Sequence, residues 1–274
     1  MLNNPRADRV KSVRSLTKRS VRERTGRFVV EGPQGVREAV RHAPGRIVDL
    51  YATRAAAGRY ASDIIDPALQ AGVFVHEASD EVLAAMADSE SPQGMIAVVT
   101  DTVTELATVL AGAPRLLVFL TNVRDPGNLG TVIRAADAMG ADAVLISESS
   151  VDVTSPKVVR STAGSLFHLP VVRGLPIEAT LRALRDSGVR TLAADGHGEV
   201  LLPEVDLRTP HAWVMGNEAW GLPADLRAQC DEVVRVPIHE RVESLNLAMA
   251  ATICLYASGL GSALAPGRQT AHGV

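Results

Sequence analysis

Three polar loops each follow an apolar segment in the C-terminal half of the 274-residue chain. The first spans residues 122–134 and places Asn128 in a Pro-Gly-Asn turn, with Arg134 six positions later. Asn128 suits the N-cap of a helix, from which Arg134 projects about 1.7 turns further on. Pro-Gly-Asn alone is only a turn, but an arginine between Ile133 and Ala135 on an apolar helix usually has a partner. The pair therefore indicates a polar site at the start of this helix.

The second loop begins at Gly216, directly after an apolar run, and continues through Asn217 and Glu218 to Gly221. Glycine lets the backbone approach a ligand closely, while the amide and the carboxylate offer polar groups. Gly221 is followed by Leu-Pro and not by Lys and Ser or Thr, so this loop does not resemble a triphosphate-binding loop.

The third loop, residues 236–246, carries Ser244 and Asn246 just before an apolar helix. Ser244 suits the N-cap of that helix, and the second polar residue indicates an additional role. His239-Glu240 begins like a zinc-protease motif, but Glu243 stands where the second histidine is required, so we predict no metal. No strand is followed by Gly-x-Gly-x-x-Gly, which argues against a nicotinamide-binding site.

The elements that position these loops alternate between strands and helices, which predicts an α/β fold. We predict strands at 27–31, 47–52, 73–76, 95–100, 116–120, 143–147, 169–172, 191–194, 212–215 and 233–236. We predict helices at 5–24, 34–42, 55–71, 80–87, 130–139, 156–163, 176–187, 223–229 and 244–258. The unbroken apolar run 116–120 is typical of a parallel strand covered on both faces. Ligands of open α/β sheets bind beyond the carboxyl ends of the strands, so the three loops are expected to converge.

Composition divides the chain into a basic arm and an acidic body. Residues 1–46 hold 12 Lys and Arg against four acids, a formal charge of +8, whereas the remainder carries −11. Such an arm suits phosphate-backbone binding, although a solvated helix with a basic face is an equal alternative from charge alone. The candidate RNA-binding residues are Arg14, Lys18, Arg19, Arg22 and Arg24. Aromatic residues make up only 3% of the chain, which argues against a surface of stacked rings.

Further features limit the class of protein. The two cysteines exclude a disulfide framework and a Cys-rich zinc site. No apolar run is long enough to cross a membrane, and the basic N-terminus lacks the apolar segment of a signal peptide, so we predict a cytoplasmic protein. We predict an N-terminal substrate-binding domain at 1–106, a linker at 107–113, a catalytic domain at 114–260 and a disordered tail at 261–274.

The three loops resemble, in order, the three motifs of the SpoU (TrmH-like) family of the SPOUT superfamily. The resemblance is carried by Asn128 with Arg134, by GNEAWGLP from Gly216, and by VPIHERVESLNLAMA from Val236. Residues 27–40 and 91–99 resemble the small N-terminal domain of many members, which is similar to RNA-binding ribosomal proteins.

This resemblance implies an S-adenosylmethionine-dependent methyltransferase that modifies a ribose 2′-oxygen of RNA. It also implies a mostly parallel sheet with a deep trefoil knot, and a homodimer with the active site at the subunit interface. The cofactor would be held largely by main-chain groups at Gly216, Val236, Ile238 and Leu245. Arg134 would assist loss of the hydroxyl proton, with Asn128, Glu218, Ser244 and Asn246 completing the catalytic set.

The resemblance leaves the target RNA open, and two other classes remain as alternatives. We expect ribosomal RNA, with transfer RNA as the runner-up. A non-catalytic RNA-binding or ribosome-assembly factor on this scaffold would be expected to lack Arg134, Asn128 or Glu218, and all three are present. An unrelated transferase for small molecules would leave the basic arm without a purpose.

Overall fold

The computed structural model describes residues 1–263, which form two compact units. Unit 1 comprises Met1–Thr102 and Asp152–His168, and unit 2 comprises Val103–Val151 together with the chain from Leu169 onward. The segment Asp152–His168 was expected in the C-terminal domain but packs with the N-terminal one, and the predicted domain boundaries stay a prediction. Residues 264–274 of the predicted disordered tail lie outside the described residues.

Unit 1 is a four-stranded sheet in the order β1-β4-β2-β3, flanked by short helices. Its strands are β1 Arg27–Glu31, β2 Ile47–Ala52, β3 Val75–Glu77 and β4 Met95–Thr100. β4 pairs antiparallel with β1 and β2, whereas β3 pairs parallel with β2. Its α-helices are α1 Asp8–Ser15, α2 Arg19–Thr25, α3 Pro33–His42, α4 Arg54–Arg59, α5 Asp66–Gln70 and α6 Asp80–Met86. The segment Asp152–His168 adds α9 Pro156–Ser161.

The predicted helix over 5–24 is two helices, and a buried arginine explains the break. Arg22 NH1 donates to the carbonyl oxygens of Leu16 (2.9 Å) and Thr17 (2.8 Å), which lie between α1 and α2. Its Nε and NH2 reach the Asp152 carboxylate at 3.2 and 2.5 Å. The guanidinium therefore satisfies the carbonyls that a continuous helix would have bonded internally.

Unit 2 is a seven-stranded sheet in the order β7-β6-β5-β10-β8-β11-β9, and every pairing in it is parallel. Its strands are β5 Leu116–Leu120, β6 Ala143–Ser147, β7 Val171–Leu175, β8 Arg190–Ala194, β9 Val200–Leu201, β10 His211–Met215 and β11 Glu232–Arg235. The helices are α7 Leu106–Ala111, α8 Pro126–Ala138, α10 Ile177–Asp186, α11 Ala224–Arg227 and α12 Leu247–Ala263. Strands β5, β6 and β10 are buried along their whole length, as expected for a sheet covered on both faces.

Most differences from the prediction lie at element ends. The segment predicted as a linker overlaps helix α7, and the short strand β9 was not predicted. Helix α12 extends to Ala263, beyond the predicted end at 258. The mostly parallel α/β fold is as predicted, whereas the trefoil knot stays a prediction.

Candidate active site

The three polar loops of unit 2 leave the carboxyl ends of neighbouring strands. β5 leads into α8, β10 leads into Gly216, and β11 leads into Val236. β5 and β10 are direct neighbours, and β8 alone separates β10 from β11. The three loops therefore begin on the same edge of the sheet.

Glu218 binds the first loop through both carboxylate oxygens. Oε2 accepts from the backbone N–H of Arg124 (3.2 Å) and Oε1 from that of Asp125 (3.1 Å). The Asn128 side-chain amide also donates to Oε1 at 3.2 Å. The carboxylate thus fixes the start of α8 relative to the loop after β10.

Asn246 extends this network to the third loop. Its amide donates to Asn128 Oδ1 at 3.0 Å, and its own Oδ1 accepts from the backbone N–H of Ala248 at 2.9 Å. Asn246, Asn128 and Glu218 consequently form one hydrogen-bonded chain, which we call the amide relay. The relay joins all three polar loops through side chains alone.

Two capping assignments from the sequence were wrong. Asp125, not Asn128, is the N-cap of α8, because its carboxylate accepts from the Asn128 backbone N–H at 2.7 Å. Asn246, not Ser244, caps α12. In both cases the helix begins at a different residue, and the Asn128 side chain is left available for the relay.

Arg134 and Ser244 lie outside this network. Arg134 is exposed on α8, and within residues 1–263 its side chain makes no hydrogen bond or ion pair. Arg134 therefore has no partner among the described residues, and its role in catalysis stays a prediction. Ser244 is exposed in the loop before α12. The structure thus brings together three of the five predicted catalytic residues.

The predicted cofactor-binding residues follow β10 and β11. Gly216 is buried against a tight turn closed by the backbone hydrogen bonds between Asn217 and Gly221 (3.0 and 2.9 Å). A Cβ at Gly216 would overlap the Gly221 backbone, so only glycine fits there. Val236 and Leu245 are half-buried, and Ile238 is exposed. Since strands lie about 4.8 Å apart, the loops after β10 and β11 begin about 10 Å apart.

Two polar residues at this edge of the sheet were not singled out from the sequence. Asn217 is buried and donates through its side chain to the Asn122 carbonyl at 2.6 Å. Asp195, directly after β8, accepts from Arg227 NH1 (3.0 Å) and from His197 Nδ1 (2.7 Å). Burial tends to raise the pKa of Asp195, but these hydrogen bonds outweigh it and the pKa is lowered. An Asp-Gly-His turn after an apolar strand was the available signal.

The predicted RNA-binding residues divide into buried and exposed ones. Arg22 is only 5% exposed and is fully bonded, so its assignment to RNA binding is corrected to a structural role. Arg14 donates to the Ala87 carbonyl, and Arg19 pairs with Glu23 at 2.7 Å. Lys18 and Arg24 are exposed, with no hydrogen bond or ion pair from their side chains within the described residues.

A cavity of about 360 Å³ lies beside these residues in unit 1. Three arginines and two serines line it, together with two carboxylates, so its formal charge is positive by one: Arg9, Arg24, Arg27, Ser12, Ser15, Asp8 and Asp49. This combination of cations and hydroxyl groups suits phosphate oxygens.

Across residues 1–263, no helix has the length and apolar character needed to cross a membrane.

Comparisons with known proteins match two parts of the chain to known families. Residues 115–256 match the SpoU rRNA Methylase family, and residues 7–97 match an MRM3-like substrate binding domain. The chain is 32% identical to the 23S rRNA (guanosine(2553)-2′-O)-methyltransferase RlmP of Bacillus subtilis, over 93% of this chain and 97% of that one. It is 33% identical to the 23S rRNA (uridine(2479)-2′-O)-methyltransferase of Streptomyces viridochromogenes, over 88% and 85%.

Solved structures of RNA methyltransferases also resemble this chain. An AdoMet-bound rRNA methyltransferase from Sinorhizobium meliloti superposes with a TM-score of 0.81 at 30% identity, covering 94% of this chain and 96% of that one. The chain therefore belongs to the SpoU rRNA methylase family of methyltransferases.

Proposed function

We propose that this protein transfers a methyl group from S-adenosylmethionine to a ribose 2′-oxygen of ribosomal RNA in the cytoplasm. The observation that carries the proposal is the amide relay, because it assembles one polar residue from each of three strand-end loops. The two curated relatives named above act on 23S rRNA, which favours ribosomal over transfer RNA.

The loops after β10 and β11 fit the cofactor. S-adenosylmethionine, when bound, supplies the sulfonium methyl. Only β8 separates the strands that lead into these loops, so main-chain groups of both loops lie on one edge of the sheet. Main-chain groups at Gly216, Val236, Ile238 and Leu245 would hold it, and a ligand read by the backbone needs few distinctive side chains. An AdoMet complex of a structural neighbour with 30% identity supports this placement.

Arg134 would act on the reacting ribose from the exposed side of α8. A guanidinium has a pKa above about 12 and is a poor base, so we assign it to stabilising the developing alkoxide or clamping the adjacent phosphate. Asn128 would orient the ribose, held in place by Glu218 and Asn246. Ser244 would approach the same oxygen only if the loop before α12 closes on the ligand.

The test of this assignment is an Arg134→Ala variant. Loss of a preorganised cation from a reacting oxygen costs about 10²–10³ in turnover. We expect that loss with cofactor affinity unchanged by calorimetry, since the Arg134 side chain makes no hydrogen bond or ion pair with these loops within residues 1–263. Near-normal methylation of ribosomal RNA by the variant would refute the assignment, and methylation of transfer RNA alone would favour the runner-up substrate.

A homodimer would complete the site. Met249, Ile253 and Tyr256 are 58%, 38% and 55% exposed and share one face of α12, at i, i+4 and i+7. An exposed apolar stripe of this kind marks an association surface. Because α12 packs against α8 and begins at the relay, a second copy seated on the stripe would lie close to Arg134.

Light scattering tests the dimer. Met249→Glu should convert a dimeric wild type into a monomer and abolish methylation, whereas Met249→Leu, which keeps an apolar side chain in the stripe, should not. A wild type that is monomeric at micromolar concentration would contradict the proposal.

A further inference from the structure

A cluster of two histidines and a glutamate lies in unit 1, whereas the loops that carry the proposed reaction belong to unit 2. Glu38 and His42 are one turn apart on α3, and His168 is the last residue of the segment Asp152–His168. Glu38 Oε2 is 3.2 Å from His168 Nε2 and 3.4 Å from His42 Nε2. The three donor atoms all lie within 4.8 Å of one another.

The backbone holds these side chains in place. Gly164 has φ +105° and packs against the Glu38 side chain so closely that a Cβ there would overlap it. Leu166 and Phe167, next to His168, pack on the core cluster that includes Val36 and Val40 of α3. Packing on both sides therefore fixes the backbone that carries the three residues, while the two histidine rings stay accessible to solvent.

The spacing matches the requirements of a zinc-like ion. Bonds of about 2.0–2.1 Å place neighbouring donors of a tetrahedron about 3.3 Å apart. The two Glu38–histidine separations are 3.2 and 3.4 Å. Both histidines are partly exposed, so their rings can adjust to bring the third separation into range. Two imidazoles and one carboxylate leave a coordination position for water.

The surrounding charges allow a cation here. Arg41 is the nearest positive group, with NH1 3.9 Å from the other Glu38 oxygen, but its NH2 is bound by Asp63 at 2.5 Å. The competing interpretation is an ion-pair cluster in which protonated histidines share the carboxylate. Both interpretations use the same three residues, and only metal binding separates them.

We propose that Glu38, His42 and His168 bind one divalent transition-metal ion of the zinc class. The ion ties the segment Asp152–His168 to α3 within unit 1. The sequence predicted no metal, because His168 is far from the Glu38–His42 pair along the chain and the three form no spacing motif.

Zinc titration of the full-length, chelator-treated protein tests the site, with zinc chloride as the probe. We expect one ion per chain, affinity at least tenfold lower in His42→Ala, His168→Ala and Glu38→Gln, and slower amide exchange over 164–168 when zinc is present. His197→Ala is the matched control, because His197 also pairs with a carboxylate but belongs to no three-residue cluster of possible metal ligands within residues 1–263; it should bind zinc like the wild type. Circular dichroism melts verify that each variant is folded.

Two results would overturn the proposal. One is a wild-type affinity no higher than that of the double variant His42→Ala/His168→Ala. The other is a set of single variants that bind zinc as the wild type does. Either result would mean that these three residues form an ion-pair cluster and not a metal site.

Discussion

Arg22 and Arg24 lie two positions apart on α2 but have opposite surroundings. Arg22 is 5% exposed and its guanidinium bonds Asp152, Thr154 and two carbonyls between the helices. Arg24 is exposed and lines the basic cavity of unit 1. Replacing each by methionine should therefore separate folding stability from RNA affinity.

The expected loss in the free energy of unfolding follows from the buried carboxylate that Arg22→Met leaves without its partner. Asp152, with a side chain 15% exposed, would keep a buried charge without its partner. Removing one member of a buried pair costs about 3–5 kcal/mol, and we expect about 3 kcal/mol here because Thr154 still bonds the carboxylate. Adding Asp152→Asn should recover part of that loss. Arg24→Met should stay within about 0.5 kcal/mol of the wild type.

Urea denaturation followed by circular dichroism measures the first effect, and salt-dependent RNA binding measures the second. Arg24→Met should lower the slope of log affinity against log salt by about 1, whereas folded Arg22→Met should keep the wild-type slope. A stability loss below about 1 kcal/mol for Arg22→Met, or a reduced salt slope for that variant, would refute this division of roles.

Two further predictions concern the ion pair and the amide relay. Burial tends to raise the pKa of Asp152, but the hydrogen bonds from Arg22 and Thr154 lower it overall. The ion pair therefore stabilises the fold at pH values above about 3.9, the pKa of an aspartate in the unfolded chain. Consequently, the stability difference between wild type and Arg22→Met should narrow as the pH falls below about 4; a gap that widens in acid would contradict the assignment. Asn128→Ala removes two relay hydrogen bonds of about 1 kcal/mol each, so single-turnover methylation should slow at least tenfold, while the melting temperature falls by less than about 8 °C and the variant stays folded. An unchanged rate would show that the relay does not position the reacting groups.

The sequence predicted the sheet well because buried parallel strands have a strong local signal. β5 and β6 begin and end at the predicted residues, as do β1, β2 and β4 of unit 1. The convergence of Asn128, Glu218 and Asn246 was also predicted, since loops at the carboxyl ends of neighbouring strands share one edge of a sheet. Local pattern and general topology were sufficient for these features.

Contacts between distant segments explain what the sequence missed. Arg22 looks like an exposed cation in an amphipathic helix, and its burial depends on Asp152, far away in the chain. The break between α1 and α2 has the same cause. The Glu38–His42–His168 cluster likewise exists only because Gly164 and Phe167 bring the second segment onto α3. Helices α8 and α12 begin four and three residues away from their predicted starts because Asp125 and Asn246 cap them in place of Asn128 and Ser244.

The central claim is that this family member methylates a ribose of ribosomal RNA and needs Arg134 to do so. Mapping of 2′-O-methyl groups on ribosomal RNA from cells lacking the protein tests it most directly, with complementation by wild type and by Arg134→Ala at matched protein levels. We expect one ribosomal position to lose its 2′-O-methyl group in these cells. The wild type should restore the methyl group, and Arg134→Ala should not. Full restoration by Arg134→Ala, or unchanged marks in the cells lacking the protein, would contradict the account.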